Sequence, residues 1–336
     1  MTAATLLHPF TADLLPPPAP DARVFWLGAD PDLTLPEAFP SDITFVQGFR
    51  PTFLRLAKPG LNVISSPEGE VYDLALVQCT RHRGENEARI GEALRRLKPG
   101  GLLVVAGGKM EGADSLRKRV GSWLALEGHA SKHHGIVFWA YRPDVLPLEA
   151  AVPAEPVEFE SDGARFRTLP GMFSHGEVDA ASKLLADHLP TGLKGAAADF
   201  CAGWGYLSRR LLDAQPGLSA LDLYEADWAS LQAAKSNLGG DEGRALGFFW
   251  QDLLGEPVER RYDLIVMNPP FHQGRAAEPG IGQGMIEKAV KALKGGGRLF
   301  MVANRGLPYE TVLAARFKTV KPLGADKRFN LFEAVR

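Results

Sequence analysis

One pattern occurs twice along this 336-residue chain, and it restricts the possible folds more than any compositional figure does. At an offset of 190 residues, Tyr72-Asp73-Leu74 falls on Tyr262-Asp263-Leu264, Gln78 on Asn268, His82 on His272 and Gly84 on Gly274. At an offset of 196, Lys98-Pro99-Gly100-Gly101 falls on Lys294-Gly295-Gly296-Gly297, and Leu103 on Leu299. Each copy reads as strand, loop, helix, basic-Gly turn, strand, the alternation of a doubly wound α/β sheet. Two such copies in one chain are an internal duplication.

A Pro- and Glu-rich stretch from Arg142 to Glu160 reads as a linker leading into a hairpin around Asp162-Gly163. It divides the chain into domains over 1–150 and 151–336, and 336 residues suit two cores better than one. The 45% hydrophobic and 23% charged content describes a globular protein with enough apolar material for real cores. Cys79 and Cys201 are too far apart in sequence to suggest a disulfide framework or a metal cluster. No leader and no membrane-length apolar run is evident, so a cytoplasmic protein without membrane attachment is expected. A net charge of −2 carries no global signature of nucleic-acid binding. Basic clusters concentrate in the first half, however, at Arg81-His82-Arg83, Arg95-Arg96 with Lys98, Arg117-Lys118-Arg119 and Lys132-His133-His134. They read either as solvated surface or as an RNA-facing patch.

The two copies differ where chemistry belongs. Tyr262 to Met267 reads as a buried parallel strand, and it ends in Asn268-Pro269-Pro270-Phe271. Ligands of open α/β sheets bind at such strand ends. Two prolines donate no backbone hydrogen bond, so this corner offers carbonyls, one side-chain amide and an aromatic face. That combination suits a flat substrate carrying an amino group. The first copy has Gln78-Cys79-Thr80-Arg81 there and lacks the acceptor-lined corner. The change of offset places six extra residues in the second copy between Gly274 and Lys294, in or beside Arg275 to Gly284. With its alternate glycines, this segment reads as a mobile substrate loop.

The cofactor elements precede that corner in the chain. A helix-like segment from Val178 to Leu189 is followed by the strand Ala196 to Phe200, with Asp199 near its end. The turn Cys201-Ala202-Gly203-Trp204-Gly205 then leads into a helix from Leu207 to Ala214. A Gly-x-Gly turn in that place lets a ligand approach the backbone closely. The next strand, from Leu218 to Tyr224, ends in Glu225-Ala226, where an acid hydrogen-bonds ribose hydroxyls. Asp252 follows a third strand and reads as a partner for an adenine amino group. Ser208 stands where a dinucleotide fingerprint has its third glycine, and Asn-Pro-Pro-Phe has no role in hydride transfer, so S-adenosylmethionine fits better than NAD.

The order Asp199 to Gly205, Glu225, Asp252, Asn268 to Phe271 resembles class I S-adenosylmethionine-dependent methyltransferases that modify amino groups. More narrowly, three segments are similar to the RsmC family of ribosomal RNA guanine-N2 methyltransferases and the related RlmG group. These are Leu169-Pro170-Gly171-Met172-Phe173-Ser174, Asn268 to His272 with Gly274, and Val302-Ala303-Asn304 with Leu307-Pro308-Tyr309. The likeness is specific over Leu169 to Arg336 and weaker from Val71 to Tyr141. It departs at Cys201, where a Gly is usual, at the bulky Trp204, and at Glu225, where Asp is frequent.

The resemblance implies two tandem Rossmann-like methyltransferase domains with mostly parallel sheets. The first is degenerate and positions RNA; the second is catalytic and closes with an antiparallel hairpin, read here at Phe317 to Pro322 and Phe329 to Val335. It also implies methylation of guanine N2 in small-subunit ribosomal RNA, and places Phe173 and Asn268 beside the cofactor. Methyl transfer from a sulfonium is an in-line displacement that needs orientation and electrostatics, and no metal. Asn268 and the Pro269 carbonyl accept the amine N–H bonds, and Phe271 stacks on the withdrawn base, worth roughly 1–3 kcal/mol. Competing readings are a large-subunit RNA enzyme, an adenine-N6 or protein-glutamine methyltransferase, and a noncatalytic RNA-binding assembly protein. A monomer is expected, because the duplication already supplies two like domains.

Overall fold

The computed structural model describes residues 2–37, 39–239, 243–270 and 279–336. The chain forms two compact units: one comprises residues 1–156 with 169–171, the other residues 157–168 with 172–336. In the first, a seven-stranded sheet contains β1 (Val24–Leu27), β2 (Ile43–Val46), β3 (Val63–Ile64), β4 (Tyr72–Gln78), β5 (Leu97–Gly108), β6 (Gly128–Lys132) and β7 (Gly135–Tyr141) in the order β3-β2-β1-β4-β5-β7-β6. Helices α1 (Thr2–Thr11), α2 (Arg50–Ala57), α3 (Arg83–Arg96), α4 (Ala113–Val120) and α5 (Leu148–Ala151) belong to this unit. Continuous apolar stretches such as Ala75 to Val77 are fully buried, as expected of strands covered on both faces.

The second unit repeats this architecture strand for strand. After the hairpin β8 (Val157–Ser161) and β9 (Ala164–Thr168) come α6 (Ala180–His188), β10 (Lys194–Phe200), α7 (Tyr206–Ala214), β11 (Gly217–Glu225), α8 (Trp228–Leu238), β12 (Ala245–Trp250) and β13 (Tyr262–Met267). Then follow α9 (Pro279–Ala292), β14 (Leu293–Asn304), α10 (Tyr309–Arg316), β15 (Thr319–Ala325) and β16 (Phe329–Val335). The order β12-β11-β10-β13-β14-β16-β15 maps onto that of the first sheet, with the last two strands antiparallel in each.

The correspondence extends to irregularities. Register shifts fall between Tyr72 and Leu74 and between Tyr262 and Leu264. At each shift an aspartate accepts a backbone N–H from the neighbouring strand region, Arg23 N to Asp73 and Ala196 N to Asp263, both at 2.8 Å. Each also pairs with the lysine at the start of the following strand, Lys98 of β5 with Asp73 and Lys294 of β14 with Asp263, so the basic-Gly segment expected as a turn belongs to the strand. The repeated Tyr-Asp-Leu and Lys-x-Gly-Gly motifs are therefore one structural device, a bulge held by an ion pair.

Three further expectations need correction. Gly280, Gly282 and Gly284 lie in α9, not in a loop. Pro279 opens that helix with a fixed φ, and a Cβ at Gly282 would come within 2.0 Å of the Tyr309 hydroxyl, so this glycine admits a close helix contact. Because α3 and α9 each span 14 residues and precede β5 and β14 directly, the extra residues fall before α9. Phe271, His272, Gly274 and the start of the proposed loop lie outside the described residues. The stretch from Arg142 to Glu160 is also more than a linker. It carries α5 and β8, and Arg95 donates to the carbonyls of Ala150 and Val152 at 2.7 and 3.1 Å. The helix expected from Val178 begins at Ala180, because the Asp179 side chain caps it by accepting from Ser182 N at 2.8 Å.

Most of the basic clusters are neutralised locally. Arg117 and Lys118 pair with Asp114, Arg83 and Arg119 with Glu87, and Arg95 and Arg96 with Glu92. Lys132 ends β6, and His133-His134 forms the exposed turn to β7, with both histidines at positive φ.

Candidate active site

The turn after β10 has the geometry its glycines suggest. Cys201, Gly203 and Gly205 all take positive φ, at 63°, 55° and 94°. A Cβ on Gly203 would meet nothing within 4 Å, so the space above this turn is open to a ligand. Cys201 holds a conformation that costs a non-glycine residue about 1 kcal/mol, and burial pushes its thiol well above the usual range.

Trp204 forms part of the wall beside that space. It is only 4% exposed, its indole N–H donates to the Phe173 carbonyl at 2.8 Å, and its ring packs edge-on against Phe159, Phe166 and Tyr206. The bulk that departs from the family pattern is thus spent on anchoring the β8–β9 hairpin. Asp162 at the hairpin tip fixes the other end, accepting from Lys183 at 2.6 Å and Tyr206 Oη at 2.8 Å. These hydrogen bonds hold its carboxyl well below the usual carboxylate range.

Two acids face the turn from the strands. Glu225 Oε2 accepts from Gly203 N at 2.7 Å and Oε1 from Asp227 N at 2.8 Å. Asp199 is fully buried; Oδ2 accepts from Ser208 Oγ at 2.7 Å, while Oδ1 has no partner. Burial raises both carboxyls to about 7, and the neighbouring Glu225 charge adds to the shift of Asp199. Ala226 follows Glu225, its carbonyl accepting from Trp250 Nε1 at 2.8 Å. Asp252 stands one strand further out, with Oδ1 accepting from Leu254 N at 2.9 Å.

Asn268 closes the recess on the β13 side. Its side-chain nitrogen donates to Asp179 Oδ2 at 2.9 Å and to Ser182 Oγ at 2.8 Å. Pro269 is buried beside it and Pro270 exposed. The recess is lined by Phe173, Cys201, Ala202, Gly203 and Asn268, and also by Asp179 and Ser182. The last two are absent from the residues read from the sequence. An Asp three positions before a Ser at a helix start is a capping signal that could have marked them.

The first unit has the same strand ends differently furnished. Gln78, the counterpart of Asn268, turns inward at 3% exposure; its Oε1 accepts from Trp26 Nε1 and Asp30 N at 3.1 and 3.2 Å. The Arg89 guanidinium donates to the Gln78 carbonyl at 3.0 Å and Glu85 at 2.6 Å. It lies so close over Gly28 that a Cβ there would be 2.2 Å from Arg89 Nη1. Gln47 takes the place of Glu225, donating to the Ala29 carbonyl at 3.0 Å where the glutamate accepts from Gly203. Among the described residues no group of three His, Cys, Asp or Glu could hold a metal, and no helix is long and apolar enough to cross a membrane.

Comparison with known proteins agrees with this geometry. The family described as "Methyltransferase small domain" matches residues 163–333. The chain is 28% identical over 274 residues to the "Ribosomal RNA small subunit methyltransferase C" of Shewanella pealeana, covering 80% of this chain and 79% of that protein. It is 25% identical over 265 residues to the Vibrio cholerae protein of the same name, covering 78% and 77%. Among solved structures, it is similar over its whole length to the T. thermophilus 16S rRNA N2 G1207 methyltransferase RsmC in complex with AdoMet and guanosine. That likeness has a TM-score of 0.80 at 24% identity, covers 91% of the solved chain, and shows a shared two-domain fold.

Proposed function

Since the chain belongs to the methyltransferase small domain family, we propose that it is an S-adenosylmethionine-dependent enzyme that methylates the exocyclic N2 of a guanine in small-subunit ribosomal RNA. The relatives named above as small-subunit methyltransferases, each covering more than three quarters of the chain, support the choice of RNA. The observation that carries the chemistry is Asn268, whose amide nitrogen is engaged by Asp179 and Ser182 in the wall of the recess, so that its oxygen is the polar atom left for a substrate amine.

The residues suit the cofactor. The positive-φ turn from Cys201 to Gly205 admits close approach, and Glu225 offers a carboxylate to ribose hydroxyls. Asp199 stiffens the turn from below, Ala226 and Asp252 line the path toward the adenine, and Phe173 covers the methionine end. When bound, S-adenosylmethionine supplies an electrophilic methyl group on a sulfonium.

The amine of guanine is a poor nucleophile because its lone pair is delocalised into the ring. Asn268 Oδ1 and the Pro269 carbonyl accept its two N–H bonds, which aims the lone pair at the methyl group. Asn268 is neutral and removes no proton itself; the proton leaves once the nitrogen has become cationic. Pro270 stiffens the corner, and Phe271 stacks on the base. In this reading the first unit, residues 1–150 in the sequence-based division, positions RNA, and the protein acts as a cytoplasmic monomer.

The test is transfer of labelled methyl to separately purified small subunits, large subunits, naked RNA, DNA and release factor. Label in small-subunit RNA, released as N2-methylguanine, is expected. Label confined to large-subunit RNA, adenine or protein would replace this substrate with another, and no label with any of them would remove the enzymatic reading.

A further inference from the structure

The hydrogen bonds of Asn268 assign roles to two residues outside the Asn-Pro-Pro-Phe corner. Asp179 carries a carboxylate that can only accept, so the side of the Asn268 amide facing it must be the NH2 group. One amide hydrogen goes to Asp179 Oδ2 and the other to Ser182 Oγ, at 2.9 and 2.8 Å. With both donors used, Oδ1 is the sole polar atom of this side chain left for the recess. A flipped amide would present NH2 to an incoming amine, donor against donor.

We propose that Asp179 and Ser182 are positioning residues for methyl transfer: from the first turn of α6 they lock the Asn268 amide with its oxygen toward the substrate amine. The inference rests on the reading of Asn268 as the amine acceptor. Asp179 does more than orient, since donation to a carboxylate polarises the amide and strengthens its oxygen as an acceptor. The same Asp179 oxygen caps α6 through Ser182 N at 2.8 Å, so one atom ties the helix start to the strand end 89 residues away.

Four variants separate this role from simple helix capping. Ser182→Ala removes one Asn268 contact and leaves the Asp179 cap in place. Asp179→Ala removes both cap and contact, and Asp179→Asn keeps an oxygen acceptor for each. The fourth combines Asp179→Ala with Asn268→Ala. On small-subunit RNA at saturating S-adenosylmethionine, kcat is expected to fall roughly 10- to 100-fold for Asp179→Ala and less for Ser182→Ala. Asp179→Asn restores most of the loss. The double variant is no slower than Asn268→Ala alone, because a residue acting through Asn268 has nothing left to position. Cofactor affinity, measured by calorimetry, falls by less than kcat in every variant, each tenfold in either quantity corresponding to about 1.4 kcal/mol.

A readout independent of RNA accompanies the kinetics. The Asn268 side-chain amide protons, assigned as the NMR signals missing from Asn268→Ala, exchange slowly with water in wild type and faster in Asp179→Ala and Ser182→Ala. Multiplicative losses in the double variant, cofactor affinity falling in step with kcat, or amide exchange unaffected by the variants would each overturn the proposal. A wild-type chain that methylates no RNA would instead count against the substrate, and the exchange measurement would still decide the orientation.

Discussion

The two sheets of this protein share strand order, bulges and ion pairs, yet their carboxyl edges have opposite characters. In the second unit Asn268 lines an open recess with its amide nitrogen bonded to Asp179, and Glu225 accepts from the turn at Gly203. In the first unit the equivalent groups bond to one another. Gln78 is satisfied by Trp26 and Asp30, Gln47 by Ala29, and Arg89 fills the space over Gly28. An α/β edge thus loses its ligand site by satisfying its polar groups internally, without any change of topology. The architecture alone does not make a site; unsatisfied, oriented groups do.

The strongest test of this contrast is Asn268→Ala, which removes the acceptor that the first unit lacks. Turnover on RNA should fall roughly 10²- to 10³-fold, as when an oriented group at a reacting centre is lost. Cofactor affinity, followed by calorimetry, should change far less. Full activity in this variant would break the comparison at its centre.

Glu225→Gln imposes the first unit's chemistry on the second. The lost charge-assisted hydrogen bonds should weaken S-adenosylmethionine binding roughly 10- to 100-fold, corresponding to about 1.5–3 kcal/mol. Titration at constant ionic strength reads this directly, and unaltered affinity would show that the acid is not at the ribose.

pH sharpens the same point. Glu225 titrates at about 7 in the cofactor-free protein because burial disfavours its charge. Ribose hydroxyls donate to the ionised form, so cofactor affinity should strengthen as pH rises through about 7 and level off above it. Stability of the cofactor-free protein runs the other way. With Asp199 and Glu225 raised from 3.8 and 4.5 to about 7, the folded state binds protons that the unfolded chain has released, so stability declines as pH rises across that window. Denaturant midpoints between pH 4 and 8 would reveal a slope of the wrong sign.

The smallest effect is expected from Arg89→Ala. Removing the guanidinium takes its donors from the Gln78 carbonyl and from Glu85 Oε1, while Glu85 Oε2 keeps Thr80, and should destabilise the chain by about 1–3 kcal/mol. It should not create a second cofactor site, because Gln47 and Gln78 still offer no anionic or outward-facing acceptor. Two binding sites per chain in this variant would mean that Arg89 alone closes the first unit.

Much of this was legible from residue order. The strand from Tyr262 to Met267, the cofactor turn, and the equivalence of Gln78 with Asn268 follow from apolar runs ended by polar or glycine residues, which are local signals. What escaped was non-local or depended on packing. The partners of Asn268 lie on α6, and nothing near position 268 points to them. Trp204 stood out only as a bulky departure from the resemblance because its identity was visible and its rotamer was not; Phe159, Phe166 and Tyr206 pack around its ring. Gly282 and Gly284 of α9 resembled a flexible loop because close packing against Tyr309 and Leu254 selects the same residue as a loop does.

The buried centre of each sheet bears on a different problem, how one chain carrying two nearly identical sheets avoids mixing their strands. Trp26 occupies in β1 the place that Asp199 occupies in β10, as their pairings with Leu76 and Val266 show. Each finds its complement only in its own unit, Trp26 in Gln78 and Asp199 in Ser208. Exchanging the strands would strand an indole N–H in one core and a carboxylate in the other, each a penalty of several kcal/mol on the order of a whole domain's margin. The residues that most distinguish the two sheets thereby also disfavour an exchange of strands between them.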